Sequence, residues 1–323
     1  MQPSLVPFDS KHFKVFKLAD GVFAAIAVNG GAAISNAGIV DLGDRTLIFD
    51  TFMTPQAARD LRRAAQQLTG REPELIINSH YHNDHIWGNQ VFSPQALFIS
   101  TVQTLELMRT DGREELKWAQ EVSATRLEAA TKQYEAAQTE HQRQDAFLWV
   151  GYFRSLVDNL PSLSVRFPDI TFEQGLTIHG SARSVELVPF TDSHTSNDSI
   201  LILKDLGIIF MADLLFVNCH PYLEECDVSK LRDSLNRIAQ MGATIFVPGH
   251  GPLGSAHDLT TNLDYITMCQ AVAREIISEG DTSAERIARV APSGQFAEWE
   301  LSRFFTINLE SLCEKLATEK SPS

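Results

Sequence analysis

The chain has 323 residues, 44% hydrophobic and 21% charged, the balance of a globular protein long enough to bury a sizeable core. A formal net charge of −14 leaves no basic face to displace counterions, which excludes a general nucleic-acid binder or a protein drawn to anionic membranes. Apolar runs stop far short of the roughly 20 residues a membrane helix needs, and Met1 to Ser10 has no cationic start leading into an apolar run. The four cysteines (Cys219, Cys226, Cys269, Cys313) form no C-x-x-C pair. The reading is a cytoplasmic protein with free thiols, no signal peptide and no membrane partner. No tract is of low complexity beyond the closing Ser321-Pro322-Ser323.

Val22 to Val28 is apolar and ends at the turn signal Asn29-Gly30-Gly31. Ala37 to Val40 and Thr46 to Phe49 flank Asp44 as in a hairpin, and Asp50 closes the second strand. Thr54-Pro55 reads as a helix start, Ala57, Leu61, Ala64, Ala65 and Leu68 follow at helical spacing, and Gly70 ends the run. Leu75-Ile76-Ile77 is a short buried strand running into Ser79-His80. From about 102 to 162 the texture changes. Leu116, Ala119, Val122, Leu127, Ala130, Tyr134 and Ala137 recur at spacings near three and four, an amphipathic helix separated at Gly112 from a shorter one before it. A further helix begins near Phe147 and stops at Pro161, so the stretch is a helical hairpin inserted in the domain. Strands return at Thr177–His179, Ser184–Val188, Ser199–Leu203 and Gly207–Met211. A helix over Val228–Met241 and a strand over Ala243–Val247 follow, and the tail from about 256 to 323 is helical. This interleaving predicts a layered α/β architecture, read as one domain over 1–323.

Residues 80 to 85 read His-Tyr-His-Asn-Asp-His, three of the chain's ten histidines in six positions. His80, His82, Asp84 and His85 can all ligate metal, and a tight loop leaving the buried strand could aim two at one ion and two at another. His194, Asp213 and His250 each stand at the end of a predicted strand, where sheet-edge loops carry sites. Tyr81 and Asn83 shape the loop.

This run resembles the H-x-H-x-D-H motif of the metallo-β-lactamase superfamily, with His194, Asp213 and His250 matching its later motifs in order over about residues 15 to 255. The resemblance implies a four-layer αββα sandwich and two divalent ions, zinc first, with iron or manganese as alternatives. It puts one ion on His80, His82 and His194, the second on Asp84, His85 and His250, and Asp213 between them. It also makes Asp50 the carboxylate that props the metal loop from behind. His194 stands 109 positions after His85, more than in compact members, and the helical hairpin fills that gap. An insertion there caps the site, pairs two subunits into a homodimer, or simply adds stability.

The implied chemistry is two-metal hydrolysis of a small molecule, with Asp84 and Asp213 as the catalytic carboxylates. An Asp at the bridging position, and Phe216 where one lactamase group has Lys, make the chain look more like glyoxalase II and lactonases than true β-lactamases. A lactone, ester or thioester is the expected substrate. Iron-dependent oxidation, as in persulfide dioxygenases, and phosphodiester hydrolysis are the alternatives within the same resemblance. Trp87 and Phe216 are pocket candidates by their nearness to ligands in sequence, and each could equally be core. His220 reads either as a substrate contact or proton donor, or as a structural loop histidine.

Overall fold

Alternating burial along the strands builds two sheets that share one core. The protein is described by a computed structural model over residues 2–319, so the Ser321-Pro322-Ser323 tract lies outside the described residues. In the first sheet β1 (Ser4–Val6), β2 (Phe13–Ala19), β3 (Val22–Ala27), β4 (Ala37–Asp41) and β5 (Thr46–Phe49) run antiparallel. The strands β6 (Pro73–Ile77), β7 (Leu97–Thr101) and β8 (Ile170–Phe172) then continue that sheet in parallel, in sequence order. The second sheet holds β9 (Leu176–His179), β10 (Ser184–Thr191), β11 (Asn197–Leu203), β12 (Ile208–Phe216) and β13 (Ile245–His250), the last parallel to β12.

Because successive residues of a strand face opposite ways, Leu47 and Phe49 point between the sheets while Ile48 points outward. Leu75 and Ile77 repeat this around Ile76, as do Ile208 and Phe210 around Ile209. The outer face of the first sheet is covered by α1 (Pro55–Thr69) through Leu61 and the small Ala57, Ala64 and Ala65, which let the helix lie close. A one-turn helix α2 (Asn83–Ile86) and the insertion α3 (Val102–Arg109), α4 (Asp111–Ala136) and α5 (Glu140–Asn159) come next in the chain. The outer face of the second sheet is covered by α6 (Val228–Ala239), α7 (Ala256–Glu279), the short α8 (Ala284–Ile287) and α9 (Ser302–Glu319). The result is the four-layer αββα sandwich expected from the sequence. None of the described helices is long and apolar enough to cross a membrane, and all four cysteines are buried and unpaired.

The start of α1 shows how local sequence places the core. Thr54, buried, accepts the Ala57 N–H at 3.2 Å and donates its hydroxyl to Ala32 O at 2.9 Å. Gly70 ends the helix in the left-handed region, φ 73°. Thr54→Ala should cost about 1–2 kcal/mol of unfolding free energy, read as a lower denaturation midpoint with metal content unchanged.

Two boundaries of the insertion differ from expectation. The break before its long helix is at Thr110, φ −105° and ψ −85°, and not at Gly112, which lies buried inside α4. The helix predicted from Phe147 begins at Glu140, because Thr139 and Gln142 form a reciprocal capping box. The strands β1, β2, β7 and β8 were not foreseen; β1 and β8 have three residues each, too short to show alternation.

Candidate metal centre

The seven candidate ligands meet at one edge of the sandwich. His80 and His82 follow β6, and His194 lies between β10 and β11. Asp84 and His85 sit on the helical turn α2 rather than on a loop, so their side chains point about 100° apart. His250 is the last residue of β13. Asp213 was expected after its strand but lies inside β12, at a register shift flanked by Ala212 with φ 45°. An irregularity of that kind re-aims a side chain out of the ladder. On β13, Gly249 admits this carboxylate: a Cβ there would stand 1.8 Å from Asp213 Oδ1.

The donors fall into two groups whose ligand atoms lie within 4.8 Å of one another: His80, His82, His194 and Asp213, and Asp84, His85 and His250. In the first, His82 Nδ1 is 3.1 Å from both His80 Nε2 and His194 Nε2, and Asp213 Oδ2 is 3.4 Å from His194 Nε2. In the second, His250 Nε2 is 3.3 Å from Asp84 Oδ2, and His85 Nε2 is 3.6 Å from the same oxygen. Asp213 also faces this group, with Oδ1 3.0 Å from His85 Nε2 and Oδ2 3.4 Å from His250 Nε2. Two atoms bonded to one tetrahedral ion at 2.0–2.1 Å stand roughly 3.3–3.4 Å apart, so these spacings fit a shared cation. His85 Nε2 and Asp213 Oδ1 are buried with no hydrogen-bond partner among the described residues, as expected of atoms reserved for metal.

Electrostatics points the same way. Burial lowers His194 to about 4 and holds His80 well below the usual histidine range. Against the lowering effect of burial, the carboxylates of Asp213 and Asp84 raise His250 to about 9. His80 and His194 are thereby held neutral, and the carboxylates that favour a proton on His250 would favour a divalent cation in its place.

Behind the ligands stands a ring of orienting groups. Asp50, 1% exposed, accepts from Ser79 N at 2.8 Å, Ser79 Oγ at 2.7 Å and His85 Nδ1 at 2.8 Å. Ser79 Oγ is also 2.9 Å from His80 Nδ1. One carboxylate therefore directs the Nε2 atoms of both His85 and His80 toward the cluster, directly and through a hydroxyl. The sequence had singled out Asp50 but not Ser79. Asp198 holds the His194 loop by accepting from His194 N at 2.9 Å and Thr195 N at 3.0 Å, and burial pushes its carboxyl up to about 7. Asn36 donates to Pro248 O and Gly251 O, both at 2.9 Å, pinning the turn that carries His250.

Two glutamates were also missed. Glu225 stands 3.4 Å from His82 Nε2 and accepts from Tyr81 Oη at 2.7 Å. Burial alone would raise Glu225, but these hydrogen bonds outweigh it and hold the group at about 2. Glu115, delivered by α4, is pushed up to about 8 by burial, and its Oε2 has no partner among the described residues. No spacing signal marks either residue, since each reaches the site only by tertiary contact.

Of the three pocket candidates, Trp87 and Phe216 share one hydrophobic cluster and His220 packs elsewhere. Trp87 is buried in a cluster with Met53, Tyr81, Ile86 and insertion residues such as Leu156. Phe216, also buried, stacks on the His250 ring at 4.9 Å and 19° and so supports a ligand from behind. His220 is fully buried among Tyr265, Trp299 and Phe305, with Nδ1 3.0 Å from Tyr265 Oη. Its Nε2 is buried with no hydrogen-bond partner among the described residues. Tyr222 stands nearer the cluster, its ring 6.0 Å from His82 and 6.3 Å from His194.

Comparison with known proteins bears on the fold and the family. Two solved structures share the fold. A metallo-beta-lactamase from Pontibacter korlensis matches with TM-score 0.54 and 15% identity, over 82% of this chain and 99% of that one. A metallo beta lactamase from Erythrobacter litoralis, with beta mercaptoethanol in its active site, matches with TM-score 0.57 and 14% identity, over 82% and 100%. A curated relative, the 2,4-dinitroanisole O-demethylase subunit alpha of Nocardioides sp. (strain JS1661), is 33% identical over 84 residues, 26% of this chain. The chain spans 22% of that relative's length. The family model for the metallo-beta-lactamase superfamily matches residues 30–250, a stretch that holds all seven candidate ligands, and the chain belongs to that superfamily.

Proposed function

We propose that the chain is a binuclear metal-dependent hydrolase that cleaves an ester-like bond in a small molecule: a lactone, ester or thioester. The observation that carries this reading is the pair of donor groups facing one shared carboxylate, with His85 Nε2 and Asp213 Oδ1 buried 3.0 Å apart and neither taken up by a hydrogen bond. His80, His82 and His194 would hold one ion, Asp84, His85 and His250 the other, and Asp213 faces both. Two divalent ions there, zinc being the first choice, would supply an activated water at neutral pH and polarise the scissile carbonyl. Asp84 turns Oδ2 toward His85 and His250, which leaves Oδ1 to take the proton of the attacking water. Asp50 keeps the Nδ1 protons of His85 and, through Ser79, His80 in place, so that each Nε2 stays a free donor. The insertion, packed over Tyr81, Ile86 and Trp87, keeps water from that side of the loop. Phe216, on the His250 ring, offers no cation to a drug carboxylate, which favours the lactonase-like and glyoxalase-II-like branch over true β-lactamases.

The test is a hydrolysis panel on zinc-loaded protein: an aryl ester, several lactones, a glutathione thioester, a phosphodiester and a β-lactam. The aryl ether 2,4-dinitroanisole belongs in it because of the short match to the O-demethylase subunit. One ester-type class should be turned over, and Asp84→Ala should lower kcat by about 10²–10³-fold or more with the fold intact. A panel without turnover, or an unimpaired Asp84→Ala, would refute the proposal.

A further inference from the structure

A cleft of about 590 Å³ opens between α4, α5 and α9, and no candidate metal ligand lines it. Its volume suits a small organic ligand. Trp149 and Phe153 form an apolar wall on α5, and Arg126 from α4 and Arg303 from α9 bring positive charge. Among the described residues neither guanidinium has a hydrogen bond or an ion-pair partner. Arg303 lies over the Trp149 ring, 5.5 Å from its centroid, and burial and the nearby Arg126 both disfavour its charge. Trp149 is 8% exposed, and its Nε1 is buried with no acceptor among the described residues.

The wall's own acidic group does not answer these charges. Asp145 is taken up by Ser302, accepting from its N at 2.9 Å and its Oγ at 2.8 Å. Glu298 stands 3.8 Å from His141 Nδ1 and pairs with neither arginine, its own side chain 82% exposed. In a chain of net charge −14, two unpaired arginines beside an aromatic wall are a selective feature. Two further rings stand between the Trp149 wall and the metal loop. Trp149 meets Phe304 at 5.5 Å, Phe304 meets Tyr222 at 5.2 Å, and Tyr222 meets His82 at 6.0 Å.

We propose that this cleft binds a small organic anion, an oxyanion head on an apolar or aromatic body, at a site separate from the metal centre. The guanidiniums of Arg126 and Arg303 take the oxyanion, and Trp149 and Phe153 pack the body. Carboxylate and phosphate heads share this chemistry, and the test separates them.

The experiment is isothermal titration of the metal-loaded full chain with 4-phenylbutyrate, phenyl phosphate and the neutral 4-phenylbutanol. Saturable binding of at least one anion is expected, the tighter of the two identifying the head group. The alcohol should bind far more weakly. Arg303→Gln should weaken the anion about tenfold or more, and Arg126→Gln several-fold, as charge-assisted hydrogen bonds are lost. Arg126 is exposed on a helix surface, so its variant keeps the fold if Arg303→Gln does not. No saturable binding of either anion overturns the proposal. So does binding of the alcohol as tight as that of the anions. Anion binding unchanged in both arginine variants but lost in Asp213→Ala would place it at the metal centre and overturn the proposal as well, without touching the hydrolase reading.

Discussion

On the proposed binuclear reading, Gly249→Ala is expected to lose at least one of the two ions and about a thousandfold of hydrolytic rate, although it alters no ligand. The added Cβ would stand 1.8 Å from Asp213 Oδ1, 2.8 Å from Ala212 C and 2.9 Å from Asp213 N. The carboxylate could swing away, but the two backbone atoms cannot, so β12 and β13 must part at the point where Asp213 and His250 meet. Overpacking of this kind costs about 1–3 kcal/mol. The functional loss is larger, because a displaced Asp213 no longer faces both donor groups, and several kcal/mol of transition-state stabilisation corresponds to about 10³ in rate. Metal stoichiometry by mass spectrometry and kcat on the substrate found in the panel are the measurements. Two ions and undiminished turnover in this variant would mean that Asp213 does not sit between the ions.

The second large effect is expected at Asp50, which touches no candidate metal position. Asp50→Ala leaves the Ser79 N–H, the Ser79 hydroxyl and the His85 Nδ1–H buried without an acceptor. Each such orphan costs about 1–3 kcal/mol. Freed of its orienting bond, His85 should bind metal about 10–100-fold more weakly. Asp50 also has φ 61°, a left-handed conformation that Asn accepts and Ala resists. Asp50→Asn therefore separates the two roles: it should keep most of the thermal stability but still lose metal affinity, since a carboxamide has one acceptor oxygen and turns donors toward donors. Metal dissociation constants by chelator competition, beside denaturation midpoints, read both. An Asn variant with unchanged metal affinity would show that the carboxylate does not orient His85.

Much of the site was legible because its signal is local. His80, His82, Asp84 and His85 lie within six residues, His194 and His250 stand just past or at a strand end, and Asp213 follows the apolar run Ile208–Ala212 within β12. Asp50 was legible for the same reason, standing directly after β5. Aromatic residues near ligands in sequence were less informative. On the helical turn α2, Trp87 stands two positions past His85, about 200° around the axis, so it points into the core under the insertion while His85 points to the cluster.

The chemistry of the donors, their order and the layered fold follow from side-chain type and periodicity, both properties of short stretches of chain. The partners that orient those donors do not. Tyr81 finds Glu225 across 144 positions, and Asn36 finds Gly251 across 215. Glu115, Asp198 and the arginines of the cleft likewise take their meaning from the elements packed against them. A charged or polar residue at such a position has no period to betray it. Its environment exists only once the two sheets have closed on each other and the inserted helices have settled on the metal loop and on α9.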